Sequence, residues 1–162
     1  MKPSDAGWRS VLIVDDDRDT REMYSESLRS MGFHPTMAST GEEALRIASH
    51  TPPAVLVTDL RFKGTMDGVE LARRLREDER TKHVRIIMLT GATFGDERER
   101  AEACGCDRLL LKPCLPEQLA SEIRRLAVSS FSPGAHGGNL RAADAVVDAE
   151  RSGRRRPDRR KV

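Results

Sequence analysis

The sequence predicts an α/β fold, a doubly wound parallel sheet of five strands, each followed by a helix. Short apolar runs alternate with longer stretches whose apolar residues recur at helical spacing. Such alternation gives right-handed crossovers that cover both faces of a parallel sheet. The runs also end in polar chemistry: Val11-Leu12-Ile13-Val14 leads into Asp15-Asp16-Asp17, Ala54-Val55-Leu56-Val57-Thr58 into Asp59, Ile86-Ile87-Met88-Leu89 into Thr90, and Leu109-Leu110-Leu111 into Lys112. In a parallel sheet these ends share the carboxyl edge, where open α/β sheets place their ligands.

After the first strand, Met23, Tyr24, Ser27, Leu28 and Met31 mark one face of a helix that Gly32 stops. Phe33 to Ala38 is a weak extended stretch containing Pro35, which has no N–H to give a ladder and belongs on a sheet edge. That edge position favours the flavodoxin-like strand order 2-1-3-4-5. Ala44, Leu45 and Ala48 share a face of a second helix, Gly41 to His50, which Pro52-Pro53 stops ahead of the buried strand ending at Asp59. A glycine-bearing loop, Leu60 to Gly68, leads to a third helix marked by Val69, Ala72 and Leu75. The fourth strand, Arg85 to Leu89, precedes a helix over Asp96 to Cys104 that has few apolar residues and should be loosely held. Arg108 to Leu111 completes the sheet, and Pro116 opens a fifth helix carrying Leu119, Ile123, Leu126 and Ala127.

With 38% hydrophobic and 33% charged residues, the 162-residue chain fits one globular domain plus unstructured ends. The expected division is an N-terminal tail over 1–8, a domain over 9–128 and a flexible basic tail over 129–162. The tail carries eight basic residues against four acidic, leaving twenty against twenty-two in the rest. It opens with a Ser-, Pro- and Gly-rich linker, has a candidate short helix near Leu140 to Ala149, and would reach on the order of 30 Å as a coil. A nucleic-acid contact is expected only through this tail, because aromatics, at 4%, are too scarce for base stacking. No apolar run approaches the ~18 residues of a membrane span, and no apolar leader precedes the domain. Cys104, Cys106 and Cys114 then read as inert reduced thiols, and the expected location is the cytoplasm.

Hard oxygen ligands without His or Cys suit Mg²⁺, which takes one or two carboxylates and keeps several waters. Asp15, Asp16 and Asp59 are the candidate ligands, and Lys112 is the cation that relieves their mutual repulsion. A carboxylate, with a reference pKa of ~3.9, needs no general base to attack phosphorus near neutrality, which makes Asp59 a candidate nucleophile. Lys112, the Thr90 hydroxyl and nearby backbone N–H groups are placed to neutralise phosphoryl oxygens. Gly91 would let phosphate approach without a side-chain clash. Asp17 or Asp19 reads instead as a cap for the first helix.

Five motifs now stand in order: Val14-Asp15-Asp16-Asp17, Thr58-Asp59-Leu60, Met66-Asp67-Gly68, Met88-Leu89-Thr90-Gly91-Ala92 and Leu111-Lys112-Pro113. Together they resemble the receiver domain of a two-component response regulator over roughly residues 9 to 128. The resemblance implies that Asp59 accepts a phosphoryl group from a sensor histidine kinase or a histidine phosphotransfer protein. It implies Mg²⁺ on Asp15, Asp16, Asp59 and the backbone carbonyl of Arg61. Thr90 and Lys112 would contact the phosphoryl oxygens and couple them to the face of helix four, strand five and helix five. That face would meet a downstream protein and is a candidate homodimer contact. On this reading the chain is a signalling domain of stand-alone type, whose only catalysis is its own phosphotransfer and slow dephosphorylation.

Two departures from the family pattern stand out. Phe62-Lys63-Gly64-Thr65 lacks the usual Pro and is one residue longer, and Leu109 stands where an aromatic switch residue is common. Two other readings are weaker. A haloacid-dehalogenase-type phosphatase would use Asp15-Asp16-Asp17-Arg18-Asp19 but leaves Asp59 without a role. A pseudo-receiver acting through constitutive contacts would need no phosphorylation, yet every key residue is present.

Overall fold

Five apolar runs form one parallel sheet: β1 (Ser10–Val14), β2 (His34–Ala38), β3 (Val55–Asp59), β4 (Arg85–Thr90) and β5 (Arg108–Leu111), in the order β2-β1-β3-β4-β5. The predicted topology and its flavodoxin-like order are thus present. A computed structural model describes residues 7–91 and 95–129. Most of the expected N-terminal tail, Ala92, and the basic tail from residue 130 with its candidate helix lie outside the described residues. Pro35 sits on the outermost strand β2, opposite Val11, where its missing N–H costs no bond to a further strand.

The helices are α1 (Arg18–Ser30), α2 (Gly41–His50), α3 (Gly68–Glu77), α4 (Gly95–Ala103) and α5 (Pro116–Ser129). Asp17, not Asp19, caps α1, its side chain accepting from the Thr20 amide at 2.7 Å. Thr40 and Asp67 do the same for α2 and α3, accepting from Glu43 N at 3.2 Å and Glu70 N at 2.9 Å. Among the described residues no helix is long and apolar enough to cross a membrane.

Successive strand residues point to opposite faces, so each strand feeds two cores. Leu12, Val14, Leu56, Ile86 and Met88 pack with α2, α3 and α4 through Ala44, Ala48, Leu71, Leu75 and Ala101. Val11, Ile13, Val55, Val57, Ile87 and Leu89 pack with α1 and α5 through Tyr24, Leu28, Leu119 and Ile123. Continuous apolar strands therefore occur because both faces are covered. The exception is α4, whose buried residues are Glu97 and Ala101 alone among those described. The sparse apolar pattern that predicted a loosely held helix is explained by a carboxylate taking one of the buried positions.

The register aligns the strand ends. Val14 pairs with Thr58, Asp59 with Leu89, and Thr90 with Leu111, so the residues after β1 and β5 and at the ends of β3 and β4 meet at the carboxyl edge.

Candidate functional site

Asp15 follows β1 and is 4% exposed. Its Oδ1 accepts from the Asp17 amide at 2.9 Å, and its Oδ2 lies 3.5 Å from Lys112 Nζ. Asp59 ends β3, with Oδ2 accepting from the same Nζ at 2.9 Å and Oδ1 from the Arg61 amide at 3.3 Å. One ammonium thus joins two carboxylates from neighbouring strands. Burial pushes the Asp15 carboxyl up from its ordinary value, with the charge of Asp59 adding to this, while the Asp17 amide and Lys112 oppose it. Burial acts to lower Lys112, but the hydrogen bond and charge of Asp59, then those of Asp15, outweigh it and hold the ammonium above its ordinary value. The pair is therefore charged at neutral pH on the lysine side.

Backbone contacts fix the Asp59 end of β3. The Leu60 amide donates to Leu89 O at 2.8 Å and the Gly68 amide to Leu60 O at 3.1 Å. A Cβ at Gly68 would overlap the carbonyl oxygen of Asp59, so the start of α3 approaches the site only because this residue is glycine. Gly91 differs: a Cβ there would meet no atom within 4 Å, so the packing of the described residues does not itself require glycine.

The lengthened loop is tied on two sides. Its Lys63 amide donates to Asp16 Oδ2 at 3.1 Å, and Thr65 hydrogen-bonds Glu42 of α2. Gly64 takes φ 141°, a left-handed-side value suited to glycine. Asp16, exposed, thus engages the loop, whereas Asp15 and Asp59 face Lys112.

Thr90 is 2% exposed at the end of β4, and its carbonyl accepts from the Lys112 amide at 2.7 Å. Its hydroxyl donates to Glu97 Oε2 at 2.9 Å, and Arg61 Nε meets Glu97 Oε1 at 2.6 Å. Asp59, Arg61, Thr90, Gly91, Glu97 and Lys112 line one hollow of about 320 Å³. Glu97 and the Arg61 side chain were not singled out from the sequence. The available signal was an acid near the start of a helix nearly without apolar residues. A larger hollow of about 470 Å³ beside β5 and α5 is lined by Arg108, Arg124 and Arg125. Arg108 and Arg125 both pair there with Glu122, at 3.2 and 3.0 Å.

Among the described residues no three His, Cys, Asp or Glu side chains stand together as a metal cluster. Mg²⁺ asks for less: one or two carboxylates, a backbone oxygen and water. The hard-oxygen pair Asp15 and Asp59, close enough for the charge of one to act on the other, fits that demand. Cys104 and Cys106 are buried free thiols on the α2–α3–α4 side of the sheet, and Cys114 is one on the α1–α5 side.

Residues 11–124 match the family described as the response regulator receiver domain. The phosphate regulon transcriptional regulatory protein PhoB of Pseudomonas aeruginosa is 33% identical over 116 residues, 72% of this chain and 50% of that protein. An uncharacterized 14.6 kDa protein from Leptolyngbya boryana is 33% identical over 125 residues, 77% of this chain and 94% of that one. The chain spans about half the length of PhoB and of the other regulators that head its curated relatives. Among solved structures, the chemotaxis response regulator CheY4 of Vibrio cholerae superposes with a TM-score of 0.67 at 32% identity, over 72% of this chain and 96% of that one.

Proposed function

The chain belongs to the receiver-domain family of two-component response regulators, and on that premise we propose that Asp59 is its phosphoacceptor and that residues 9–128 are the signalling unit. The observation that carries this is the Lys112 ammonium joining Asp59 at 2.9 Å to Asp15 at 3.5 Å, beside an open hollow. An Asp59 carboxylate oxygen forms a bond to phosphorus as the phosphorus–nitrogen bond of a donor phosphohistidine breaks. The leaving imidazole nitrogen keeps the electron pair and takes a proton from water.

Asp15, Asp16, Asp59 and the Arg61 carbonyl are the groups that would hold Mg²⁺, which when bound supplies positive charge against the phosphoryl oxygens. Lys112 holds Asp59 in place before transfer and neutralises a phosphoryl oxygen after it. Thr90 supplies a hydroxyl from the adjoining strand. The donor is a sensor histidine kinase or a phosphotransfer protein. The output is a change in protein contacts on the face of α4, β5 and α5, where Leu111 is 41% exposed. Homodimer contact through that face and a cytoplasmic location belong to the same proposal.

The test is intact mass after incubation with Mg²⁺ and acetyl phosphate. Wild type should gain one phosphoryl group as the donor's phosphorus–oxygen bond breaks and acetate leaves. Asp59→Asn, or removal of Mg²⁺ by chelation, should abolish the gain. A wild type that stays unmodified overturns the proposal.

A further inference from the structure

Glu97 has no part in the chemistry set out above, yet it lines the same hollow as Asp59. Its side chain is 10% exposed and holds two donors at once, the Thr90 hydroxyl through Oε2 at 2.9 Å and Arg61 Nε through Oε1 at 2.6 Å. It is also one of the two buried residues of α4, the other being Ala101. A methyl group buries little apolar area, so the seat of α4 on the sheet depends heavily on what this carboxylate touches. One turn further along α4, Arg100 pairs with Asp67 at 3.0 Å, a half-exposed contact of small weight.

Thr90 and Arg61 are also the donors that a phosphoryl group on Asp59 would draw toward itself. Such a group brings about two negative charges into the hollow that Glu97 already shares. The Thr90 hydroxyl has one hydrogen to give. Two anions competing for one hydroxyl and one guanidinium in a half-enclosed site repel each other as well. The hydroxyl cannot serve both, and the guanidinium, with five N–H donors, would have to divide its charge between them.

We propose that Glu97 is a positioning residue that reserves Thr90 and Arg61 in the unmodified protein and is displaced by a phosphoryl group on Asp59, which unseats α4. The inference rests on the reading of Asp59 as phosphoacceptor. It gives one side chain two linked effects: Glu97 resists phosphorylation, and its expulsion moves a helix. It also gives the Arg61 side chain a place in the switch that is separate from the expected role of its carbonyl. Leu109, where the family commonly has an aromatic, packs on the α4 side of the sheet, so in this chain a carboxylate takes over part of the coupling between site and helix.

The experiment uses the full chain as wild type, Glu97→Gln and Glu97→Ala, with acetyl phosphate as donor and beryllofluoride as the phosphoryl mimic, both with Mg²⁺. Glu97→Gln keeps the volume and an acceptor for Thr90 but loses the charge. The expected result is an initial rate of phosphoryl gain about tenfold above wild type, with beryllofluoride binding tightened by a similar factor. Amide hydrogen exchange over residues 95–103 should already be raised in the unmodified variant, to the level that wild type reaches only with beryllofluoride. Glu97→Ala should shift all three readouts in the same direction, and if it fails to fold, Glu97→Gln decides alone. A purely structural role predicts lower stability with uptake unchanged or slowed, and that result in Glu97→Gln overturns the inference while leaving Asp59 standing. A wild type that takes up no phosphoryl group and binds no beryllofluoride overturns the reading of the site and the inference with it.

Discussion

Lys112 holds two carboxylates that would otherwise face each other across the ends of β1 and β3, and both consequences of removing it have a definite sign. In Lys112→Met the attraction that opposes the upward shift of Asp15 is gone, so Asp15 should titrate higher still, as read by carbon-detected NMR. Phosphoryl gain from acetyl phosphate should slow about 100-fold, because a preorganised donor to the developing charge is lost. Gly68 acts through space rather than charge. Gly68→Ala must push either α3 or the Asp59 carbonyl aside, and should lower stability by roughly 2 kcal/mol or more in urea unfolding. The same shift should slow uptake at Asp59, which distinguishes this glycine from Gly91, where a Cβ meets no atom of the described residues within 4 Å and alanine should leave stability near wild type. Asp15, Asp59, Thr90 and Lys112 were legible as a set because each closes an apolar run. Glu97 closes none, and its reach to Arg61 and Thr90 depends on how α4 lies on the sheet.

At the scale of elements, α1, α2, α3 and α5 could be read from periodicity because each seats apolar residues on a core. Helix α4, expected over Asp96 to Cys104, is present over Gly95–Ala103, but its apolar pattern is sparse because its anchor is polar, and periodicity sees only apolar burial. Helix α3 shows how surface charge adds to such a helix. Glu70 sits in its first turn and is bonded by Arg73 and Arg74, which together hold its carboxyl well below the usual range, at about 2. The folded value lies below the ordinary 4.5, so the ionised form favours the folded state. This contribution is fully present above about pH 4.5 and is lost as pH falls through about 2. Glu70→Gln should therefore have a lower urea midpoint than wild type near neutrality, and the gap should close as the pH approaches 2. Because Glu70 and its arginine partners are open to solvent, the gap should be small and should shrink further in high salt.

Across the whole molecule, parallel strands put the candidate chemistry at one edge of the sheet and leave the other edge to structure. The carboxyl edge gathers Asp15, Asp59 and Lys112 in close contact. The amino edge is closed by Asp107, which precedes β5 and accepts from Arg76 and Arg85, each at 3.0 Å, and from the Ile86 amide at 2.8 Å. Arg76 also donates to the carbonyls of Gly105 at 3.1 Å, Lys82 at 3.1 Å and Val84 at 2.7 Å, tying α3 to the turns before β4 and β5. The sequence showed none of this, because a charged residue before a strand looks the same whether it is solvated or holds three donors. Asp107→Ala removes an acceptor from two guanidiniums and a backbone N–H in a site that is only partly screened by water. It should cost about 2 kcal/mol in urea unfolding. The folded fraction should still gain a phosphoryl group from acetyl phosphate at close to the wild-type rate, since the sheet separates the two edges. A variant of normal stability would show that the Arg76 network contributes little, and one of normal stability with slowed uptake would show that the two edges communicate.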